Sequence, residues 1–229
     1  MLAVLYDIHA NLPALEAVVA DAEAAGADRW LLGGDYAGLG AWPVETLERL
    51  HALPGAQWVR GNWERWQASP GDAPDVPFIQ NAIRWVREAL GYEAVAELAR
   101  LSQTISYDGT LFCHASPVSD MRSFMPRPHD EDEELLGGVG ERRVVFGHTH
   151  LQFRRESGDG IDLVNPGSVG LPFDGDQRSG YALVSDDGEL ELRRVDYDYE
   201  RSAAAIRERM QGFGEELAER VDTATPPPG

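Results

Sequence analysis

Leu2 to Tyr6 is an uninterrupted apolar run, the pattern of a strand covered on both faces. Leu15, Val18, Val19 and Ala22 then recur at helical spacing between Leu12 and Ala25, and Gly26 is a natural stop. A second strand is predicted over Arg29 to Gly33, a helix over Pro43 to Leu53 with proline in its first turn, and a third strand over Gln57 to Arg60. The order strand, helix, strand, helix, strand gives two βαβ crossovers.

After residue 63 the rhythm changes. A Pro/Gly/Asp loop leads into helices over Phe78 to Leu90 and Tyr92 to Leu101, with Ile79, Ile83, Val86 and Leu90 on one face. Residues 64–101 therefore read as a helical insert, either a packed surface pair or a cap leaning over a pocket. Further on, Thr104 to Tyr107 and Leu111 to His114 flank Asp108-Gly109, a hairpin signal. A loop from Ser116 to Asp132 precedes a strand over Arg143 to Phe146, and two more hairpins are expected around Ser157 to Gly160 and Asp186 to Gly188. Residues 199–222 read as a terminal helix and 223–229 as a frayed tail. Together these elements predict one α/β domain over residues 1–222, a four-layer α-β-β-α sandwich of two mixed sheets flanked by helices. A chain of 229 residues suits one sizeable core and is short for two domains.

Composition narrows the picture. An apolar content of 43% with 9% aromatics describes a packed globule rather than a disordered chain. No apolar run approaches the roughly 18 residues of a membrane span, and the N-terminus has no basic region ahead of its first apolar run, so a cytoplasmic protein without membrane partners is expected. The single cysteine, Cys113, excludes an internal disulfide and reads as a buried small hydrophobe. A formal net charge of −19 without a Lys/Arg stripe argues against duplex DNA or long RNA, because a polyanion is repelled at long range. Small phosphate esters stay open, since bound divalent ions would make a pocket locally positive.

The candidate chemistry lies in six short segments: Asp7-Ile8-His9-Ala10-Asn11, Gly34-Asp35, Gly61-Asn62, His114, Gly147-His148-Thr149-His150 and Asn165-Pro166-Gly167-Ser168. Imidazole, carboxylate and amide oxygen without thiolate are the ligand types of divalent ions such as Mn, Fe, Zn or Co. Asp7 and His9, two apart on an extended stretch, would share a face, as would His148 and His150. Gly34, Gly61 and Gly147 would let the chain turn where a Cβ would crowd the site. His51 and His129 lie outside these blocks and read as solvated.

In these blocks the chain resembles the calcineurin-like metallophosphoesterases, with patterns D-x-H, G-D, G-N-H-[DE], H and G-H-x-H. The resemblance runs from about residue 2 to about 195 and is nearest to the small prokaryotic branch of YfcE-like and diadenosine-tetraphosphatase-like proteins. It implies a first metal held by Asp7, His9, Asp35 and His150, and a second by Asp35, Asn62, His114 and His148, with Asp35 bridging. Asp35, Asn62 and His114 would carry the catalytic centre. Two divalent ions are implied, manganese first, with Fe, Zn, Co or Ni as alternatives, holding a water or hydroxide for in-line attack on phosphorus. The implied activity is a phosphodiesterase on small nucleotide-like esters; a phosphomonoesterase or dinucleoside polyphosphate hydrolase is the alternative, and a non-catalytic metal-binding scaffold a further one. A serine hydrolase built on Ser168 is disfavoured, as no G-x-S-x-G elbow is present.

One block departs from the pattern. Arg60-Gly61-Asn62-Trp63-Glu64 carries Trp63 where the family places a histidine, leaving Glu64 with no imidazole to orient. An indole has no titratable proton near neutrality and cannot act as general acid. Esters with poor leaving groups should suffer most, and Trp63 offers a flat surface for a nucleobase. Asn11, Ser168 and Arg178 are further candidates to hold a substrate phosphate or its loop.

Overall fold

A computed structural model of the protein describes residues 1–226. Two five-stranded mixed sheets lie face to face. The first has strand order β10-β9-β1-β2-β3, from β1 (Leu2–Leu5), β2 (Arg29–Leu32), β3 (Gln57–Trp58), β9 (Ser179–Val184) and β10 (Leu190–Val195). The second has order β4-β5-β6-β8-β7, from β4 (Thr104–Tyr107), β5 (Thr110–Cys113), β6 (Arg143–Val145), β7 (Gln152–Glu156) and β8 (Asp162–Pro166). The predicted fold class is therefore observed.

β1 shows why its sequence is apolar throughout. Ala3 and Leu5 face the outer core with Leu15, Val18 and Val19 of α1 (Leu12–Ala24), while Val4 and Tyr6 enter the core between the sheets. There they meet Phe112, Val145 and Val164 of the second sheet, and the buried Tyr6 hydroxyl donates to the Val145 carbonyl at 2.8 Å. β1, β2 and β3 pair in parallel through α1 and α2 (Pro43–His51), the two expected crossovers. Asp108 and Gly109 both take left-handed backbone, as a type I′ hairpin requires.

The outer layers are unequal. α1, α2 and α4 (Pro77–Leu98) cover the first sheet, whereas α5 (Asp132–Leu136) and the loop around Phe124 cover the second. Two sequence expectations need correction. The helix pair after Pro77 is present, its two helices meeting at Gly91, where the backbone is not helical, but the expected loop after residue 63 begins instead as α3 (Asn62–Ala68), and the single terminal helix is two, α6 (Tyr199–Arg209) and α7 (Glu215–Thr223). The last correction reaches the tail, because Thr223 closes α7 and Ala224 is buried, its carbonyl accepting from Gly175 N–H. Residues 227–229 lie outside the described residues. Among the described residues no helix is long and apolar enough to cross a membrane.

Candidate metal centre

The chain leaves each central strand at the same end of the sandwich and drops a polar side chain there: Asp7 after β1, Asp35 after β2, Asn62 after β3, His114 after β5, His148 and His150 after β6. Strands of an α/β sheet that share a carboxyl end deliver distant residues to one crevice. Asp7, His9 and His150 form one potential metal-binding group, and Asp35, His114 and His148 a second. Asn62 Oδ1 lies 2.9 Å from His114 Nε2 and 3.1 Å from His148 Nδ1, which places it with the second group.

The ligands do not alternate on extended strands, as their spacing suggested. Asp7, His9, Asp35, His148 and His150 all have positive φ, between 48° and 67°. Left-handed backbone is uncommon outside glycine, though Asp and His adopt it more readily than bulkier residues, and its strain collects at functional sites. The surroundings hold these turns in place. Asp7 Oδ2 accepts the His148 N–H at 2.8 Å, and a Cβ on Gly147 would stand 2.4 Å from that same oxygen. Gly34, at φ +101°, passes so close to Gly61 that a Cβ would lie 2.7 Å from its backbone.

The donor set suits divalent ions. His9 Nδ1 and His150 Nδ1 face the carbonyls of Gly38 and Leu171, so each carries its proton there and presents a bare Nε2. Those two nitrogens lie 3.1 Å apart, and Asp7 Oδ1, 3.5 Å from His150 Nε2, is buried without a hydrogen-bond partner. Converging lone pairs with no donor among them are satisfied by a cation. Asp35 Oδ2 lies 3.9 Å from His9 Nε2 and 3.3 Å from His114 Nε2, the position a bridging carboxylate needs.

Electrostatics agree with that donor set at His9, His148 and Asp7. Burial, reinforced by His150, lowers the His9 pKa to about 4, and burial beside His114 does the same for His148, so both imidazoles are neutral ligands at pH 7. Burial opposes the charged form of His114 too, but the Asp35 carboxylate outweighs it and raises that pKa to about 10. Burial also opposes ionisation of Asp7, yet His150 and His114 hold its carboxyl below the usual range.

Glu64 has a role that its sequence context concealed. Its carboxylate is fully buried and accepts the backbone N–H groups of Asp35, Tyr36 and Gly61 at 2.8–2.9 Å, tying the β2 and β3 exits together. Burial and the neighbouring Asp35 raise its pKa to about 7. A legible signal was available: glutamate at the third position of a helix accepting the N–H of the residue that opens it.

Of the substrate-side candidates, Trp63 alone lines the cavity of about 390 Å³ that opens on the metal groups. Asn11 instead caps α1 through its Oδ1, which also receives the Ser202 hydroxyl, and its Nδ2 donates to the Gly170 carbonyl. Ser168 is likewise committed, donating to the Asp7 carbonyl and accepting from Leu171 N–H. Arg178 is exposed, pairs with Asp176 and does not line the cavity. The Asn165 side chain braces the loop that carries His148 and His150, donating to the Gly147 carbonyl and the Thr149 hydroxyl. Cys113 is buried in the second sheet's outer core, and burial raises its thiol pKa.

The sequence profile of the calcineurin-like phosphoesterase superfamily domain matches residues 1–188, and the chain belongs to that family. A crystal structure of a metallophosphoesterase from Sphaerobacter thermophilus superposes with a TM-score of 0.83 at 25% identity, over 98% of this chain and 99% of that one. A hypothetical protein from Pyrococcus horikoshii gives 0.82 at 21% identity, over 95% and 98%. An uncharacterised protein of Methanocaldococcus jannaschii is 29% identical over 228 residues, covering 90% of this chain and 91% of its own length.

Proposed function

We propose that the protein is a two-metal phosphohydrolase for small phosphate esters with a flat aromatic or base-like group, preferring diesters to monoesters. The observation that carries this reading is Trp63. Its ring stands edge-on to His9 with centroids 6.5 Å apart, in the wall of the cavity, where the family pattern has an imidazole. Trp66 follows at 5.4 Å, and Leu39, Phe78, Ile79 and Phe173 continue an apolar surface beside the candidate ligand groups.

Asp7, His9, His150 and Asp35 would hold one ion, and Asp35, Asn62, His114 and His148 the other. Bound there, the ions would activate water and neutralise charge developing on the phosphoryl oxygens. The chain's own residues set what can leave. Trp63 carries a hydrogen-bond donor on its ring but no proton it can surrender, so the departing oxygen receives no acid from this position. Phenolate, or an oxygen released from ring strain, departs without that help, whereas an alkoxide does not. The helical insert over residues 64–101 acts as the cap, since Trp66, Val76, Phe78 and Ile79 from it line the cavity.

A panel of bis-aryl phosphates, cyclic nucleotides, dinucleoside polyphosphates and nucleotide monoesters, assayed with Mn, Fe, Co, Ni, Zn and Mg, tests this reading. Chelator-sensitive hydrolysis that is fastest on aryl diesters or strained cyclic esters is expected. A preference for alkyl monoesters, or no metal-dependent turnover of any ester, contradicts it.

A further inference from the structure

The cavity over the metal groups has two polar ends. One is made by the candidate ligands His9, Asp35, Asn62, His148 and His150; α7 supplies the other through Glu216 and Arg220, which stands over the Phe78 ring. Arg220 is the one fixed cation among the described residues lining this cavity. Its guanidinium lies 5.2 Å above the Phe78 ring, and its side chain keeps only 12% exposure.

An arginine held on an aromatic face loses less freedom on binding an anion than one in solvent, and its planar fork matches carboxylate and phosphate oxygens. Glu216, one turn earlier on the same helix, takes part of that fork through Arg220 Nη2. The pairing is incomplete, because Arg220 Nε is buried without an acceptor. A solvated ion pair between exposed helix residues leaves no such donor stranded. In a chain of net charge −19, a guanidinium lining the cavity is also a rare attraction for a negative ligand group.

We propose that Arg220 is a specificity-determining residue that holds an anionic group of the substrate remote from the phosphorus under attack. The substrate class is then a phosphate ester with a flat organic body and a second negative charge, a carboxylate or another phosphate. Phosphorus sits at the metal ligands, the body lies along Trp63, Trp66 and Phe78, and the second anion meets Arg220 in competition with Glu216. This rests on the phosphohydrolase reading for the first anchor, whereas the second anchor can be measured by binding alone.

The test uses phenylphosphonate and 4-carboxyphenylphosphonate, which cannot be hydrolysed, titrated calorimetrically into the manganese-loaded protein. Wild type should bind the carboxylated probe roughly tenfold more tightly, the scale of one charge-assisted hydrogen bond. Arg220→Gln should bring the ratio to about one, and Glu216→Gln, which frees the guanidinium, should raise it above wild type. A wild-type ratio of one or less overturns the proposal, as does a ratio that survives Arg220→Gln. Should Arg220→Gln fail to fold, Glu216→Gln decides, and an unchanged or lower ratio there counts against Arg220. Turnover of p-nitrophenyl phenyl phosphate, followed in the same wild-type sample, separately tests the hydrolase reading: its absence would retire that reading while the binding ratio still judges Arg220.

Discussion

The carboxylate of Glu64 receives the backbone N–H of Asp35 at 2.9 Å, so the carboxylate that reaches both candidate ligand groups is held from behind by a second buried acid. The same carboxylate binds Tyr36 and Gly61, and Asp35 Oδ1 in turn accepts the Trp63 N–H at 3.0 Å. Two strand exits are thus locked in register by one side chain. Stranding three buried donors is costly, at about 1–3 kcal/mol each. Glu64→Ala should therefore lose several kcal/mol of stability and most of its bound metal, while Glu64→Gln, which keeps one acceptor oxygen, should lose less of both. Urea unfolding paired with metal analysis checks this; full metal occupancy in Glu64→Ala would show that the clamp is dispensable.

Gly147 makes a similar argument by sterics. A methyl group there meets Asp7 Oδ2, the oxygen that also holds the His148 N–H. Gly147→Ala should weaken metal binding by roughly 10–100-fold, the usual effect of disturbing a group that orients ligands. Competition against a fluorescent chelator measures it, and unchanged affinity would mean that the loop shifts freely.

The pH dependence of the metal-stripped protein can be signed group by group. His9 and His148 each have a folded pKa lowered from 6.5 to about 4, so unfolding takes up protons between those values. Their contribution to stability is complete above pH 6.5, declines as the pH falls towards 4, and is flat below. Asp7, also lowered, adds to the loss on the acid side. His114, raised to about 10, works in the opposite sense: its contribution is complete below pH 6.5 and fades as the pH rises through 10. Glu64, raised from 4.5 to about 7, also opposes, its contribution falling as the pH rises between those values, so the test uses stripped Glu64→Gln, which should unfold at lower urea concentration at pH 5 than at pH 7.5. Equal midpoints would argue that these imidazoles are not buried neutral.

Much of this centre was legible because residue type and order survive in a sequence. What the sequence hid was backbone. Asp7 and His9 look like alternating strand residues, and only the structure shows both beyond the end of β1 in left-handed turns. Short polar side chains near a site look alike whether they face a ligand or the chain itself, and Asn11 and Ser168 face the chain. Arg178 was singled out for lying near the motifs in sequence, whereas Arg220, in a helix whose i,i+4 glutamate suggests a solvated face, belongs to no motif. The sheets were readable from apolar runs and turn signals; α3 was not, because its first residue, Asn62, belongs to the Gly61-Asn62 block and carries no helix signal of its own.

Trp63→His should restore a proton donor beside Asn62 and narrow the gap between an activated diester and an alkyl monoester. The gain is bounded by the roughly 10²–10⁴-fold that general acid catalysis supplies. Because Trp63 also packs on Trp66, metal content must accompany kcat/KM for both substrates. An unchanged ratio with metal retained would assign Trp63 to packing alone.

The most direct test adds Mn²⁺ stepwise to chelator-stripped protein while p-nitrophenolate release from bis-p-nitrophenyl phosphate is followed, with Asp35→Asn in parallel. A two-metal centre bridged by Asp35 predicts a rate that rises to a plateau at about two equivalents in wild type, and a variant that neither retains both ions nor turns over. Full activity in the presence of chelator, or an Asp35→Asn protein with two ions and wild-type turnover, would contradict it.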